Sequence, residues 1–181
     1  MARVGPIDYR SPPFLGARNA FTSYYVSPSI LISTTTSAVV ANILYYQPIY
    51  LPNFTIDRIG IDVTTGAAGN CRLGLYTSSA GMPSRLILDC GTVDTTGIAT
   101  VEATIAATQL PSDWVWMASV FDATPTCRVG TAASPFLLGS GSMSVPSRGL
   151  TVSSTYGTMA TTAVAPTQFA AVSPMMFVRK S

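Results

Sequence analysis

Apolar and polar residues alternate at period two through the middle of the chain, in residues 54–122. Ile59 and Ile61 stand two residues apart, and so do Leu73 and Leu75. Because side chains on a strand point alternately to the two faces of a sheet, each pair would share one face. Turn signals built from Gly, Asn and Pro separate the segments. The pattern predicts half-buried strands with these four residues among the core anchors.

The first of these segments contains a change of parity. Ile56 falls on the opposite parity to Ile59, so a regular strand would place the two side chains on opposite faces. An extra residue near Asp57 or Arg58 would restore a common face, and a β-bulge supplies such a residue. The sequence therefore predicts a bulge at this point.

Two tryptophans, Trp114 and Trp116, share one parity near the end of the alternating region, and Ala118 and Val120 continue it. A Trp pair at alternate strand positions is more often a core anchor than a ligand shelf. We expect both indoles to cover one end of the core, with a ligand shelf as the alternative.

Helical periodicity is nearly absent, and Gly and Pro turns separate many short strand-like segments. The sequence therefore predicts an all-β fold, an antiparallel β-sandwich of roughly eight to ten strands that resembles a jelly roll. With 181 residues, one domain is favoured, and we place it at residues 26–181. Residues 131–166 are rich in Ser, Thr, Ala and Gly, which predicts a long excursion with short strands such as Leu150 to Ser153. Long loops on a β framework often carry binding sites.

Residues 1–25 contain prolines at a density that forbids a continuous helix, so we expect an extended N-terminal arm. A disordered leader is one interpretation of this segment. The other is an arm that orders on another subunit and docks through its rings and arginines. The residues assigned to this docking are Arg3, Tyr9, Arg10, Phe14 and Arg18.

Charged residues make up only 10% of the chain and hydrophobic residues 48%. Charge keeps proteins apart in solution. A surface with so few charges therefore favours coverage by partners or by other copies of the chain. The net charge of +2 and the scattered basic residues argue against nucleic-acid binding. No apolar run approaches the ~20 residues that span a bilayer, and no signal peptide is recognisable, so we expect neither membrane insertion nor export.

The residue types that most enzymes need are missing or scattered. The chain has no histidine, which excludes Ser-His and Cys-His nucleophile pairs and histidine-based metal sites. Its eight acidic residues form no cluster, and the one glutamate, Glu102, falls on the polar face of a predicted strand. Cys71, Cys90 and Cys127 are an odd set at unpaired spacing, which favours buried, reduced thiols. We therefore predict a non-enzymatic protein with no catalytic residue, no bound metal and no cofactor.

Tyr45, Tyr46 and Tyr50 form a local aromatic cluster in the sequence. Tyrosine suits sugars because it offers a ring face and a hydroxyl, but packing in the core or at its rim is its commoner use. A saccharide platform is the alternative interpretation of this cluster.

Four short motifs together resemble a β-rich module that recurs in fibres, minor tail proteins and accessory proteins of tailed bacteriophages. They are Ile56-Asp57-Arg58-Ile59-Gly60, then Arg72-Leu73-Gly74-Leu75-Tyr76 after Gly69, then Leu88, Asp89, Gly91, Thr92 and Val93 after Gly81 and Pro83, and Trp114-Val115-Trp116-Met117-Ala118. The resemblance leaves both ends of the chain unmatched and carries no catalytic residues.

This resemblance implies a virion structural protein, assembled in the cytoplasm of a bacterial host. The first hypothesis is a small tail fibre or appendage subunit that self-associates, with a trimer favoured. Its arm would attach to other virion proteins, and its loops would face the host surface and its glycans. The alternative is a capsid decoration, or cement, protein that clamps neighbouring shell subunits. A virion-borne polysaccharide hydrolase is the third hypothesis, and the missing histidine argues against it.

Overall fold

The structure is a computed structural model that describes residues 24–26, 34–110, 112–130, 149–170 and 172–181. Of the predicted arm it describes only Tyr24 and Tyr25, so the five docking residues of the arm lie outside the described residues. Residues 131–148 of the predicted excursion lie outside them as well. The described residues contain strands and no helix, and therefore no helix that could cross a membrane.

Twelve strands occur in the described part of the chain, whereas roughly eight to ten were predicted. Two of the twelve, β1 and β11, are short and span only three and two residues. In chain order the strands are β1 (Tyr24–Val26), β2 (Thr34–Ala38), β3 (Ile43–Leu51), β4 (Phe54–Thr65), β5 (Asn70–Ser79), β6 (Met82–Asp94), β7 (Ala99–Leu110), β8 (Asp113–Phe121), β9 (Thr126–Gly130), β10 (Leu150–Ser153), β11 (Gln168–Phe169) and β12 (Met176–Lys180). The short strand expected at 150–153 is thus present as β10.

The strands form two antiparallel sheets that pack face to face, which confirms the predicted all-β sandwich. In the first sheet the long strand β4 pairs with β12 and β9 along one edge and with β7 along the other. β1 flanks β12, and β2 flanks β9. The second sheet has the order β11-β10-β3-β8-β5-β6.

The main core lies between the sheets. Ile59 and Ile61 of β4 and Leu73 and Leu75 of β5 are fully buried there. Alternation explains this arrangement. The two isoleucines share one face of β4, the two leucines share one face of β5, and these faces point toward each other between the sheets. The four predicted anchors thus lie in one hydrophobic cluster.

The predicted bulge is present in β4. Arg179 and Lys180 are adjacent in β12, but they pair with Arg58 and Ile56, which leaves Asp57 as the extra residue. Ile56 and Ile59 are consequently both buried in the main core. The parity change in the sequence therefore marks the bulge.

A second hydrophobic cluster covers the outer face of the second sheet, which makes the molecule three layers thick at this point. Residues 154–167, here named the cover segment, run across this face from β10 to the edge of β6. Beneath the segment lie the buried residues Leu44, Tyr46, Tyr76, Trp116, Ala118, Val120, Leu150 and Val152, together with the segment's own Met159.

The cover segment corrects one expectation. The alternation in β5 predicts a half-buried strand with Tyr76 on its polar face. Tyr76 is instead fully buried, since the cover segment lies on that face. The described part of the predicted excursion is thus a packed layer of the fold.

Candidate functional site

The two sheets differ in how far their outer faces are covered. The cover segment lies on the outer face of the second sheet, whereas no described residue forms such a layer over the first sheet. Exposed side chains such as Thr100 and Thr104 of β7 stand on this uncovered face. The outer face of the first sheet is therefore the candidate interaction surface.

This surface carries a set of paired charges, here named the charged face: Asp57, Arg58, Asp62, Glu102, Arg128 and Arg179. Arg58 and Asp62 reach it because they alternate with the core residues Ile59 and Ile61. The others are contributed by neighbouring strands β7, β9 and β12 and by the bulge in β4. The local sequence pattern thus places the charges side by side.

Each cation on the charged face contacts a carboxylate. Arg179 Nη2 lies 2.6 Å from Asp57 Oδ2, and Arg128 Nε lies 2.5 Å from Asp62 Oδ2. Arg58 Nε lies 3.3 Å from Glu102 Oε2. These pairs are partly exposed, and because solvent screens ion pairs at a surface, each contributes only about 0–1 kcal/mol to stability. Their main consequence is that the face neutralises its own charge.

The Arg179 guanidinium has the clearest electrostatic effect on this face. Its hydrogen bonds to Asp57 lower the pKa of that carboxyl below its usual range, and they outweigh the opposing effect of desolvation. Asp57 in turn raises the pKa of Arg179. Both groups are therefore charged at neutral pH and bound to each other.

The described carboxylates are all engaged within the chain. Asp94 accepts a hydrogen bond from the Thr96 amide at 2.8 Å, and Asp113 accepts one from the Trp114 amide at 2.7 Å. Asp122 accepts one from the Asn70 amide at 2.5 Å. The remaining four are in ion pairs with arginine: Asp57, Asp62, Asp89 and Glu102. All seven side-chain carboxylates of the described residues thus have a partner within the chain.

Asp89 connects β6 to the cover segment. Arg72 of β5 donates to it through two nitrogens, at 3.0 Å to Oδ1 and 2.8 Å to Oδ2. The backbone amides of Gly91 and Met159 donate to it at 3.2 Å each. Burial raises the pKa of Asp89, but these hydrogen bonds outweigh burial and lower its pKa overall. The ionised carboxylate thus fastens the cover segment to the sheet.

Two tyrosine hydroxyls also hold the cover segment. Tyr76 donates to the Ala160 carbonyl at 2.9 Å, and Tyr46 donates to the Val164 carbonyl at 3.3 Å. Burial raises the pKa of Tyr76 to about 12, and it raises the pKa of Tyr46 as well. Both hydroxyls therefore stay protonated and remain donors at neutral pH.

The saccharide platform predicted as an alternative for Tyr45, Tyr46 and Tyr50 is contradicted by their burial. Tyr45 belongs to the main core and Tyr46 to the second cluster, so their rings lie on opposite sides of β3. Tyr50 is also buried, and its ring meets Trp114 edge to face with centroids 5.7 Å apart. The three rings form no common exposed surface.

The two indoles occupy different environments. Trp116 is buried in the second cluster, and its Nε1 donates to Ser78 Oγ at 3.2 Å. Trp114 is only partly buried, so it does not share that environment. They do not cover the end of the main core as expected, because their face of β8 points away from it.

The three cysteines are buried and unbridged, as the sequence predicts. Burial raises the pKa of Cys90 to about 12 and that of Cys127 to about 12, and it raises the pKa of Cys71 well above the usual range. No group of three or more metal-ligating side chains comes together within the described residues.

The outer edge of β7 is a feature that the sequence pattern does not identify. β7 pairs with β4 along one edge, and no described residue forms a backbone hydrogen bond to its other edge. Alternation reveals that a segment is a strand, but not whether the strand lies at the margin of its sheet. This edge borders the charged face and extends the candidate surface.

Comparison with known proteins identifies no relative. No family model matches the chain, and no curated protein or solved structure matches it. The resemblance to phage virion modules therefore stays a prediction.

Proposed function

We propose that this chain is a non-enzymatic structural protein of a bacteriophage virion, a small tail fibre or appendage subunit. In this role it binds other virion proteins and presents a rigid surface toward the host. The observation that carries the proposal is that the described side-chain carboxylates and two tyrosine hydroxyls hold a three-layered β scaffold together. Seven carboxylates and the hydroxyls of Tyr46 and Tyr76 all bind within the chain.

The residues of the phage resemblance have structural positions in this scaffold. Ile59 of the first motif and Leu73 and Leu75 of the second lie in the main core. Trp116 of the last motif lies in the second cluster. The residues that carry the resemblance are therefore residues that build the scaffold. This supports a virion protein of this architecture. The location of the chain in the particle would identify its partner.

A capsid decoration protein is the alternative that uses the same scaffold. A fibre subunit would bury its poorly charged surface against copies of itself and display the remainder to the host. A decoration protein would bury it against shell proteins. Position in the particle and competition for the host surface distinguish the two.

The test uses the phage whose genome encodes the chain. Mass spectrometry of purified, disassembled particles should detect the chain as a stoichiometric component. The purified full chain should then compete with intact phage for adsorption to host cells. Presence in particles without competition would favour the decoration role. Absence from particles, or hydrolysis of host glycan by the purified chain, would contradict the proposal.

A further inference from the structure

Two edge strands are long: β6 spans thirteen residues and β7 twelve. β1 spans three residues, β11 two and β2 five. Natural proteins keep exposed edge strands short or protect them, because an unpaired edge is a template for pairing with another chain. The long edges of β6 and β7 are therefore the ones at which protection is most needed.

The neighbouring edge strand, β6, has such protection. The Leu86 amide donates to the Thr161 carbonyl at 2.9 Å, and the Ala163 amide donates to the Ser84 carbonyl at 2.6 Å, so the cover segment pairs with this edge. Beyond that point Ile87 and Cys90 are extra residues in bulges relative to β5. Coverage and bulges together interrupt this edge.

Within the described part of the chain, nothing covers residues 99–104 of β7, and no bulge interrupts them. They pair with β4 without interruption, from Ala99 opposite Val63 to Thr104 opposite Arg58, and the irregular part of β7 begins only after Thr104. The segment contains no Lys, Arg or Pro. Its one charge, Glu102, is bound to Arg58 of β4.

Apolar side chains beside this edge are incompletely covered. Val101 and Ile105 of β7 and Ile87 and Leu88 of β6 pack against the main core but remain partly exposed. Ile98, in the connection between these two strands, is 75% exposed. This flank of the sandwich therefore combines an unpaired backbone edge with apolar surface, the combination that strand addition buries.

We propose that residues 99–103 of β7 pair with the same residues of a second copy of the chain, in antiparallel orientation, to form a continuous sheet across two molecules. An antiparallel edge is complementary to itself, because each copy presents the same alternating N–H and C=O groups. With 10 basic and 8 acidic residues, two copies also repel each other only weakly. No other partner is required for the pairing.

Two-fold symmetry restricts the register in which the two copies of β7 can pair. Opposed residues of antiparallel strands point to the same face, so a two-fold axis perpendicular to the sheet places one residue opposite its own copy. With Val101 at the axis, Glu102 of each copy lies opposite Thr100 of the other. The two glutamates do not meet, and a carboxylate faces a hydroxyl.

This inference is independent of the virion assignment, because it concerns the isolated chain. It predicts a dimer, whereas the phage resemblance implies a trimer. Pairing over five residues buries less surface than a standard interface, so we expect a dissociation constant in the micromolar range.

Sedimentation of the full chain over about a hundredfold range of concentration measures the association. We expect a monomer that becomes a dimer as the concentration rises. Amide exchange of residues 99–103 should slow over the same range, while exchange in β2 stays unchanged. These two measurements need no variant. A chain that is monomeric throughout, or one that forms trimers, would overturn the proposal. If the chain is monomeric, the edge of β7 would be free to pair with a strand of a different protein.

Val101→Lys places two ammonium groups opposite each other at the axis. It should raise the dimer dissociation constant by at least about tenfold, because like charges brought together at an interface repel each other. Thr36→Lys is the matched control, since it adds the same charge at an exposed position of β2. The control should leave the dissociation constant unchanged. A Val101→Lys variant that is folded by circular dichroism and still forms the dimer at wild-type affinity would contradict the register and the edge.

Discussion

The ring of Phe177 occupies the space that a side chain at Gly60 would need. The two residues stand opposite each other where β12 pairs with β4. A Cβ atom on Gly60 would lie 2.5 Å from Phe177 Cζ and 2.5 Å from the Val101 carbonyl oxygen. Phe177 is buried on the outer face of the first sheet, and the ring of Tyr24 meets it edge to face with centroids 5.2 Å apart. A missing side chain in β4 thus allows an aromatic pair to cover the sheet beside the charged face.

Gly60→Ala should destabilise the fold. The new methyl group would displace the Phe177 ring and press against the backbone of β7, and overpacking of this kind costs about 1–3 kcal/mol. The measurement is the free energy of unfolding from urea denaturation. Gly97→Ala is the matched control, because a Cβ there meets no atom within 4 Å. The control should stay within about 0.5 kcal/mol of the wild type. Equal stabilities for the two variants would show that Phe177 does not fill the space above Gly60.

Asp89→Asn should loosen the cover segment at neutral pH, because the charge that binds Arg72 and the Met159 amide is lost. The pKa of Asp89 is lowered in the fold, which means that the folded state stabilises the ionised carboxylate more than the unfolded state does. Its stabilising contribution is therefore complete above the unfolded value of about 3.9 and is lost as the pH falls through the lower folded value. Unfolding free energies should show a difference between wild type and variant that is constant near neutral pH and shrinks below about pH 3.9. Asp113→Asn, at the start of β8, should leave amide exchange in the cover segment unchanged.

Tyr76→Phe removes a hydroxyl that binds the cover segment without removing the ring that fills the second cluster. We expect a loss of roughly 0.5–1.5 kcal/mol and faster amide exchange at Met159 to Ala163, because the Ala160 carbonyl loses its donor. Tyr156→Phe serves as the control, since its hydroxyl lies 3.3 Å from Thr92 Oγ1 in an exposed contact. Equal exchange rates in both variants would contradict a fastening role for Tyr76.

Trp116→Ala should cost about 3–5 kcal/mol, since it empties the space of a buried indole and removes the partner of Ser78 Oγ. Trp114→Ala should cost less, because Trp114 is only partly buried and its ring contact is with Tyr50. Thermal or urea unfolding of the two variants measures the difference. A stable Trp116→Ala variant with altered host adsorption would move this indole to a ligand surface and contradict its place in the second cluster.

The three thiols should resist modification in the folded protein. Burial of Cys71, Cys90 and Cys127 keeps reagents away from their sulfur atoms. It also keeps the thiols protonated, because the pKa values of all three lie well above neutral pH. A chromogenic disulfide reagent should report almost no fast reaction at pH 8 and three thiols after denaturation. One thiol that reacts at once in the native protein would contradict its burial.

Much of the scaffold could be predicted from local pattern. Period-two alternation identifies Ile59, Ile61, Leu73 and Leu75 as residues of one core, and the parity change between Ile56 and Ile59 predicts the bulge at Asp57. Both features are local consequences of strand geometry, so they do not depend on which strands become neighbours.

The parts that sequence could not predict depend on contacts between distant segments. The cover segment contacts Tyr76 across 84 positions and turns a polar-face residue into a buried one. Gln47 appears as a polar residue in a strand, yet it is fully buried, donates to Ser173 Oγ at 2.9 Å and accepts from the Met176 amide at 3.2 Å. The edge position of β7 follows only from the order of the strands. Pairing order and coverage are properties of the whole fold, which single-strand patterns do not contain.

Immunogold electron microscopy of intact particles, with antibodies raised against the purified chain, tests whether this β scaffold forms part of a phage tail. We expect gold at the tail or its appendages, and no gold on particles of a mutant phage that lacks the chain. Gold spread over the head would instead identify a decoration protein, and particles that bind no antibody above the mutant background would contradict the virion role altogether.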